Sequence, residues 1–296
     1  MLRVADEVRE ALDAGAPVVA LETTIVAHGF PPGDGLEVGR ECEVRVRASG
    51  AVPATTAVLD GELVVGLSAA ELERVAGAGS EARKAGPRDI GLCISTGSLG
   101  ATTIGGTLVA SRHAGIRFMT TGGLGGVHRG WTERPDVSAD LGALARTSVL
   151  VVCSGVKSLL DIPATMEILE TLGVPVFGYG TDELPLFYSA RGGPRVPLLE
   201  TVEETARLAR AHWELSESAI IVARPPAASL DDVEPLIEAA LAEAQSRQVE
   251  GQAVTPFVLA YLHEHSGGRT LEANRRLAAD NAEQAGEFAV AFSRAA

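Results

Sequence analysis

Lysine is nearly absent from this chain, since only two of its 25 basic residues, Lys84 and Lys157, are lysines. Arginine keeps its proton in proteins, whereas a buried lysine can lose its proton and act as a nucleophile. The two positions that retain an amine are therefore candidates for amine chemistry or for a compact ammonium contact. The alternative for each is a solvated surface residue.

Aromatic residues and cysteines are also scarce. Aromatics make up 4% of the 296 residues against 46% hydrophobic residues in all, which indicates an aliphatic interior. The three cysteines, Cys42, Cys93 and Cys153, are odd in number and widely spaced, a pattern that fits neither a disulfide framework nor a zinc site. We expect them to be small core residues in a reducing compartment.

The chain lacks positive net charge and long apolar runs. Its formal net charge is -14, so a nucleic-acid polymer would be repelled, although a local basic pocket could still bind a small phosphate. No apolar stretch reaches the roughly 18 residues of a membrane span. The segment from Met1 to Glu10 is charged and is expected to form an amphipathic helix instead of a targeting signal. These features predict a cytoplasmic protein without a membrane partner.

Apolar runs alternate with segments of helical period along the sequence, which predicts an α/β fold: a three-layer α/β/α arrangement with a mostly parallel central sheet. Asp60-Gly61 between two apolar runs predicts a small hairpin excursion. After Thr255 we expect a helical C-terminus, with Thr270 as the N-cap of its long helix. No linker divides the chain, so residues 1–296 are expected to form a single domain. The predicted strands are Pro17–Leu21, Thr55–Leu59, Leu63–Gly66, Arg117–Thr120, Ser148–Cys153, Val174–Phe177 and Ala219–Val222, and the predicted helices are Gly35–Ala48, Ala69–Ala76, Thr103–Ala114, Leu159–Leu172, Val202–Leu215 and Asp231–Arg247.

Polar residues follow three of the predicted strands. They are Glu22 with two threonines, the glycine-rich segment Thr121 to Gly130, and Ser154-Gly155-Val156-Lys157. Because ligands of open α/β sheets bind at the carboxyl ends of strands, these segments could converge on one crevice. The glycine-rich segment could bind an anion through backbone N-H groups, and His128 favours that interpretation. The alternative is a tight turn that needs glycines with positive φ.

Asp136 and Asp140 are spaced to share one helical face if a helix has begun, and such oxygen ligands suit Mg²⁺ or Mn²⁺. The alternative, which we favour for these two residues taken alone, is ordinary capping of a helix from Leu141 to Arg146. The pair His263 and His265 alternates by two and is expected to be a surface feature.

The two lysines differ in context. Lys157 follows an apolar strand and precedes an apolar segment, so we expect a buried stem near a helix N-terminus, where both influences would depress its pKa. A neutral amine there could attack a sugar carbon and form an imine. Lys84 lies in a polar segment that predicts a loop, suited to a phosphate contact or a solvated surface.

A set of motifs along nearly the whole chain resembles the pseudouridine-5'-phosphate glycosidase family, and the resemblance extends to the indigoidine-synthesis A proteins. The motifs are Ala20-Leu21-Glu22-Thr23-Thr24-Ile25, Gly50 to Thr55, Gly122 to Gly130, Asp136 to Leu141, Ser154 to Ser158, Thr181-Asp182-Glu183, Val254-Thr255-Pro256-Phe257 and Leu271-Glu272-Ala273-Asn274. One departure is Gly86-Pro87 after Lys84, where the family usually carries Ser then Arg.

The resemblance implies a manganese-dependent, reversible cleavage of pseudouridine 5'-phosphate to uracil and ribose 5-phosphate by a homotrimer with one Mn²⁺ per subunit. It implies Lys157 as the Schiff-base nucleophile, Glu22 as the general acid and Asp136 as the metal residue, with Asp140 close by. It further implies substrate-binding roles for Lys84, Ile104, Thr121, His128, Ser138, Ala139, Asp140 and Asn281. For the contact with the base, Asn274 is the alternative to Asn281.

Other functions remain open at the level of sequence. A related lysine-dependent sugar-phosphate lyase, as in pigment biosynthesis, would use the same residues on a different leaving group. A sugar-phosphate-binding sensor would bind the ligand but leave Glu22 and Lys157 without a role. We expect no fused sugar-kinase domain, and the family suggests a separate kinase that makes the substrate.

Overall fold

The computed structural model describes residues 1–31, 33–230 and 232–294. The strands are β1 (Leu2–Val4), β2 (Val18–Leu21), β3 (Val52–Leu59), β4 (Glu62–Val65), β5 (Arg83–Ala85), β6 (Gly100–Thr102), β7 (Phe118–Thr120), β8 (Val127–His128), β9 (Leu150–Cys153), β10 (Leu160–Asp161), β11 (Val176–Tyr179), β12 (Leu198–Leu199) and β13 (Ile220–Ala223). The α-helices are α1 (Asp6–Asp13), α2 (Thr24–His28), α3 (Asp34–Ala48), α4 (Ala69–Ala78), α5 (Ile90–Thr96), α6 (Ile104–Ala114), α7 (Asp140–Leu144), α8 (Ile162–Thr171), α9 (Val202–Leu215), α10 (Glu234–Ser246), α11 (Val254–His265) and α12 (Arg269–Arg294).

The central sheet is mostly parallel. Strands β3, β2, β7, β9, β13, β11 and β12 lie side by side in that order, and each adjacent pair is parallel. Their side chains are buried almost throughout, as expected for parallel strands that helices cover on both faces. The α/β/α fold predicted from the sequence is therefore confirmed.

The predicted hairpin is also present. Strand β4 returns antiparallel to β3, and Asp60 and Gly61 at the turn have φ of 52° and 79°. Two consecutive positive φ values suit the two-residue turns that match the twist of a hairpin. Strand β6 pairs antiparallel with β3 and carries β5 beside it, so this end of the sheet is mixed.

The expectation of a helix from the first residue is wrong. Residues Leu2–Val4 form β1, which pairs with β4 in parallel and begins opposite Leu63, and helix α1 starts only at Asp6. The edge of the hairpin offers unpaired backbone groups, and the amide of Leu63 donates to the carbonyl of Met1 at 2.7 Å. Pairing with this edge stabilises three residues that local helical periodicity assigns to a helix.

Two predictions for the C-terminal helices also need correction. Helix α12 begins at Arg269, so Thr270 lies in its first turn, where its backbone N-H donates to Ser266 Oγ at 3.2 Å. His263 is half-buried, with Nδ1 3.0 Å from Thr270 Oγ1 and its ring stacked on Phe30, whereas His265 is exposed. Only His265 fits the expected surface position.

Other boundaries shift by a few residues. Helix α8 begins at Ile162 instead of Leu159, and α10 begins at Glu234, while Asp231, where we expect that helix to start, lies outside the described residues. Among the described residues, no helix combines the length and apolar character needed to cross a membrane.

Candidate active site

The three polar segments predicted to converge do lie together. Strands β2, β7 and β9 are neighbours and parallel, so Glu22, Thr121 and Lys157 follow them at the same edge of the sheet. All three side chains line one cavity. The order of the strands thus builds a crevice from residues that are far apart in the sequence.

Glu22 is a buried carboxylic acid at the centre of this crevice, with 8% of its surface exposed. Its two carboxylate oxygens each accept a hydrogen bond, one from the hydroxyl of Thr24 and one from the hydroxyl of Thr121. Burial raises the pKa of Glu22 above its ordinary value, although the charge of Lys157 and the two hydroxyl donors act against the increase. A carboxyl with a raised pKa suits a general acid.

Lys84 lies on strand β5, so the prediction of a loop is wrong. The strand has only three residues and is held by pairing with β6, with Lys84 opposite Ala101. Burial is the main cause that lowers the pKa of Lys84, and the positive charge of Lys157 lowers it further. The carboxylates of Asp140 and Glu22 act in the opposite direction.

Lys157 is half-buried in the turn between β9 and β10. Its backbone N-H donates to the carbonyl of Leu124 at 3.2 Å, and its carbonyl accepts from the amide of Leu160 at 3.0 Å. Helix α8 begins only at Ile162, so Lys157 does not lie at a helix N-terminus as expected. The ammonium group influences the pKa values of Glu22, Lys84 and His128, so these four groups share one electrostatic site.

Two chambers meet at Glu22, Lys84 and Lys157. One is narrow, with a cavity volume of about 60 Å³, and its walls include Phe187, Leu259 and Asn274. The other has a volume of about 300 Å³ and is polar; its lining includes Arg88, Thr103, Ile104, His128, Asp136, Ser138, Ala139 and Asp140. The site can therefore hold a ligand with one flat, largely apolar part and one highly polar part, with an acid and an amine where the parts join.

In the glycine-rich segment only Gly130, at its end, has a positive φ, of 82°. A β-carbon on Gly123 would lie 2.5 Å from the ring of Phe187, and one on Gly126 would lie 2.4 Å from Thr165 Oγ1, while neither glycine has positive φ. The glycines are thus needed for close packing, and the tight-turn interpretation is wrong for this part of the loop. The loop leads into β8, where His128 pairs with Leu160.

Asp136 and Asp140 do not share a helical face, because α7 begins at Asp140 and Asp136 lies in the preceding loop. Oδ1 of Asp140 accepts from Thr103 Oγ1 at 2.7 Å and from the amide of Gly105 at 2.8 Å, so this carboxylate binds the N-terminus of α6. Asp136 is less engaged, with Oδ2 4.0 Å from Nε2 of His128. Neither residue caps α7 through its side chain, but Asp140 lies in the first turn of that helix, where its charge complements the helix dipole as predicted.

The donor set around Asp136 is compatible with a hard divalent metal. Carboxylate and imidazole groups face the polar chamber, and the three cysteines are buried. Burial lowers the pKa of His128 despite the nearby charge of Asp136, which favours the neutral imidazole that metals require. Within the described ranges no three acidic, histidine or cysteine side chains are grouped as a metal-binding cluster. The fit is thus to an ion held by few protein ligands and completed by water and substrate oxygens.

Asn281 and Asn274 occupy different environments. The side-chain amide of Asn281 is buried and donates to the carbonyls of Thr121 and Gly122 at 2.9 and 3.3 Å and to Ser154 Oγ at 3.1 Å. These bonds use Asn281 to tie α12 to the ends of β7 and β9. Asn274, two turns before Asn281 on the same helix, lines the narrow chamber. The geometry favours Asn274 as the asparagine that faces a ligand.

Sequence reasoning missed several wall residues, including Phe187 and Leu259. Phe187 is buried and has φ of 64°, a left-handed conformation that is rare for an aromatic residue and is often found at functional sites. Its amide donates to the carbonyl of Ser154 at 2.8 Å, which holds the ring beside the loop. No local pattern in the sequence marks Phe187. Leu259 follows the quoted motif Val254-Thr255-Pro256-Phe257, which could have pointed to α11 as a wall.

Comparison with known proteins places the chain in a family. Residues 7–291 match the family described as Indigoidine synthase A like protein. The chain belongs to this family. Among curated members, the chain is 47% identical to the pseudouridine-5'-phosphate glycosidase of Myxococcus xanthus over 99% of both chains. It is 49% identical to the one of Streptomyces griseus, over 98% of this chain and 91% of the relative.

Solved structures of the family have the same fold. The crystal structure of the prealnumycin C-glycosynthase in complex with ribulose 5-phosphate matches with a TM-score of 0.91 and 39% identity, over 100% of this chain and 98% of that chain. An indigoidine synthase A-like protein from Thermotoga maritima matches with a TM-score of 0.90 and 38% identity, over 99% and 97% of the two chains.

Proposed function

We propose that this protein catalyses the reversible cleavage of pseudouridine 5'-phosphate, with water, to uracil and ribose 5-phosphate. The observation that carries the proposal is the position of Glu22 and Lys157 where a narrow apolar chamber meets a polar one. The names of relatives with nearly half of their residues identical support the substrate, and the ribulose 5-phosphate complex supports a sugar phosphate in this fold.

The chemistry explains why an acid and an amine are both needed. In pseudouridine the ribose is joined to C5 of uracil, so the leaving atom is a carbon that must gain a proton as the bond breaks. The amine of Lys157, once it has lost a proton, adds to C1' as the bond from C1' to the ring oxygen breaks and that oxygen gains a proton. The ribose is then open and bound to the enzyme.

Glu22 completes the cleavage. It gives its proton to C5 of uracil, the nitrogen lone pair forms a C1'=N double bond, and the electron pair of the C1'-C5 bond returns to the uracil ring. Water then hydrolyses the imine, which releases ribose 5-phosphate and regenerates the amine. Thr24 and Thr121 hold the carboxyl of Glu22 in position through their hydroxyl groups.

The two chambers divide the substrate. The flat uracil fits the narrow chamber, where Phe187 offers a ring face and Asn274 an amide. The ribose and phosphate fit the polar chamber, where Lys84 supplies positive charge and His128 an imidazole group for the phosphate. Ser138, Ala139, Ile104 and Asp140 line the wall. Binding of the phosphate end would thus position the scissile bond between Glu22 and Lys157.

Mn²⁺, implied by the family resemblance, would be held by Asp136, with His128 beside it. A bound divalent ion would supply positive charge that polarises substrate oxygens and orders water. Manganese binding can be tested without turnover, because electron paramagnetic resonance distinguishes free from bound Mn²⁺. We expect Asp136→Asn to weaken binding, and Asp182→Asn, an exposed aspartate paired with Arg195, to leave it unchanged.

The homotrimer, the cytoplasmic location and the single domain stay predictions. The decisive test of function is the release of uracil from pseudouridine 5'-phosphate, measured with Mn²⁺ and with a chelator. We expect uracil and ribose 5-phosphate in equal amounts, and less of both after chelation. Failure to release uracil with the metal present would reject the proposed reaction.

A second reaction deserves a direct comparison, since one structural relative is described as a C-glycosynthase. The same amine and acid could join a sugar phosphate to another electron-rich ring carbon. Incubation of the protein with ribose 5-phosphate and either uracil or a phenolic acceptor with two fused rings would separate the two, because the narrow chamber favours the smaller pyrimidine. Exclusive coupling to the phenol would favour the second reaction.

A further inference from the structure

A small cavity adjoins the narrow chamber at Glu22, Thr121 and Gly122. Its volume is about 20 Å³, which is sufficient for one water molecule, and Glu22, Cys42, Thr55 and Thr120 are part of its wall. Thr55 and Thr120 are the register partners of Leu21 on the neighbouring strands β3 and β7, so these two hydroxyl side chains project from the same face of the sheet. Two polar side chains from β3 and β7, and Glu22 directly after β2, therefore line one small cavity.

One of these groups lacks a partner in the protein. Oγ1 of Thr120 is buried, and no hydrogen-bond partner for it occurs among the described residues. A buried hydroxyl without a partner is costly, and a water in the adjoining cavity would satisfy it. The carboxylate of Glu22 and the hydroxyl of Thr55 line the same space and supply the further partners that an ordered water needs.

Thr55 also contacts a residue that is not part of the cavity wall. Its hydroxyl donates to Oε1 of Glu43 on helix α3. Glu43 is only half-buried, and the charges of Arg40, Arg47 and Glu7 all act on it, so its carboxylate is close to the charged surface of α3. Thr55 thus lies between the cavity that Glu22 lines and a carboxylate near the outer side of α3.

We propose that Thr55 and Glu43, with one water in this cavity, form a proton path that joins Glu22 to solvent behind the active-site cleft. The proposal rests on the proposed function, in which Glu22 gives a proton to uracil while the substrate covers the front of the cleft. Thr55 and Glu43 touch neither substrate nor reacting atoms, and they serve as positioning and relay residues.

Each transfer along the path conserves protons. The hydroxyl of Thr55, which donates to Glu43 when that carboxylate is charged, turns towards the water once Glu43 is protonated. The water then gives a proton to the Glu22 carboxylate and takes one from Thr55, Thr55 takes one from the carboxyl of Glu43, and Glu43 regains a proton from solvent. Burial raises the pKa of Glu43 and also that of Glu22, so the carboxyl groups at both ends hold protons more readily than exposed ones. Lys157 and Asp140 are the charged groups that act on the Glu22 end. Cys42 is not a relay, because burial raises the pKa of its thiol to about 12.

Isotope exchange at equilibrium tests the path. Uracil, ribose 5-phosphate and pseudouridine 5'-phosphate are mixed with the enzyme in water, and a trace of the uracil carries both deuterium at C5 and ¹⁴C in the same molecule, so that any isotope effect on breaking the C5–D bond applies to both rates. The experiment compares the rate at which deuterium is lost from uracil with the rate at which ¹⁴C enters pseudouridine 5'-phosphate. Without a rear path, deuterium on Glu22 leaves only after the product is released, and the ratio of the rates is one. With the path, deuterium leaves from the closed complex and the ratio exceeds one.

We expect a ratio above one for the wild-type enzyme and a ratio near one for Thr55→Val and Glu43→Gln. Thr55→Ser keeps a hydroxyl and should restore the wild-type ratio, and Glu41→Gln, on the same helix but paired with Arg275, should retain it. The ratio is independent of the amount of active enzyme, so partial loss of folding does not affect it. A wild-type ratio of one, or a wild-type ratio in Thr55→Val, would overturn the relay. Absence of any ¹⁴C incorporation would instead reject the proposed reaction.

Discussion

At the scale of single residues, the two lysines can be separated by trapping. Burial lowers the pKa of Lys84, whereas the sequence and the family resemblance point to Lys157 as the nucleophile. We expect borohydride, added during turnover, to attach the sugar phosphate to Lys157, as located by peptide mass spectrometry. Lys157→Arg should abolish both trapping and turnover, because a guanidinium cannot form the imine.

Lys84→Arg is the matched control for that experiment. It keeps the positive charge that a phosphate contact needs, so we expect trapping at Lys157 to continue with a higher KM for the sugar phosphate. Modification of Lys84 in the wild-type enzyme, with Lys157 unmodified, would reverse the assignment of the two roles.

Glu22 links catalysis to stability through its raised pKa. An ordinary glutamate titrates near 4.5, and burial moves the pKa of Glu22 above that value. Because the folded state holds this proton more tightly than the unfolded state, the contribution of Glu22 to stability is fully present below the unfolded pKa. It is lost as the pH rises through the higher folded pKa.

Glu22→Gln should therefore change stability in a pH-dependent way. We expect the unfolding temperature of the variant, relative to wild type, to increase as the pH rises from about 4.5 to above the folded pKa of Glu22. Turnover of the variant should be lower than that of the wild type by about 10²–10⁴-fold, the usual contribution of a general acid. Thermal unfolding followed by circular dichroism at several pH values measures the first effect. The control Glu41→Gln removes a partly exposed carboxylate, and a parallel pH trend in both variants would contradict the assignment to Glu22.

At the scale of secondary-structure elements, Gly155 fixes the turn that carries Lys157. Its φ is 82°, and a β-carbon there would lie 1.7 Å from the carbonyl oxygen of Pro185. We expect Gly155→Ala to displace the segment after β9 and to reduce imine formation strongly. Gly173→Ala is a control with φ of 67° and no neighbour within 4 Å of the added carbon, so it should cost only roughly 1–2 kcal/mol from backbone conformation. Chemical denaturation and borohydride trapping measure the two effects, and equal effects of both substitutions would contradict the steric argument.

The elements that could be predicted from sequence are those with a long local signal. Strands such as β9 and β13 are apolar runs, and helices α3 and α9 are long and periodic, so their existence and the convergence of Glu22, Thr121 and Lys157 followed from pattern and topology. Strands β1 and β5 have three residues each and form only because partner strands β4 and β6 accept their backbone groups. That dependence on distant pairing explains why the polar sequence around Lys84 predicts a loop.

The site residues that escaped prediction are set by tertiary contacts. Phe187 reaches the narrow chamber through a left-handed backbone conformation, and its sequence neighbours show no motif. Asn281 and Asn274 are two turns apart on α12, and only the packing of that helix against β7 and β9 determines that Asn281 is buried in the protein interior while Asn274 faces the chamber. Sequence identifies both asparagines, but only the structure separates them.

At the scale of the whole molecule, the charge of -14 opposes the basic residues of the cleft. A phosphate dianion meets repulsion from the acidic surface and attraction from Lys84, Arg88 and Lys157, which line the polar chamber together with Asp89, Asp136 and Asp140. A divalent ion held by Asp136 would give the chamber a net positive charge. Salt decides which effect dominates, because the Debye length is about 30 Å at 0.01 M ionic strength and about 8 Å at 0.15 M. At low salt the dianion responds to the entire molecule, and near physiological salt it responds mainly to the cleft.

We therefore expect kcat/KM for pseudouridine 5'-phosphate to pass through a maximum as ionic strength increases. It should rise from the lowest salt, as the repulsion between the acidic surface and the substrate is screened, and then fall as the shorter-range attraction in the cleft is screened too. In the direction of synthesis, kcat/KM for uracil at saturating ribose 5-phosphate should change little, because uracil is uncharged. Steady-state rates in both directions over the same range of sodium chloride measure this difference. A monotonic decrease from the lowest salt would mean that the basic cleft outweighs the net charge at every distance, and equal salt dependence for uracil would point to an effect on the protein instead of on association.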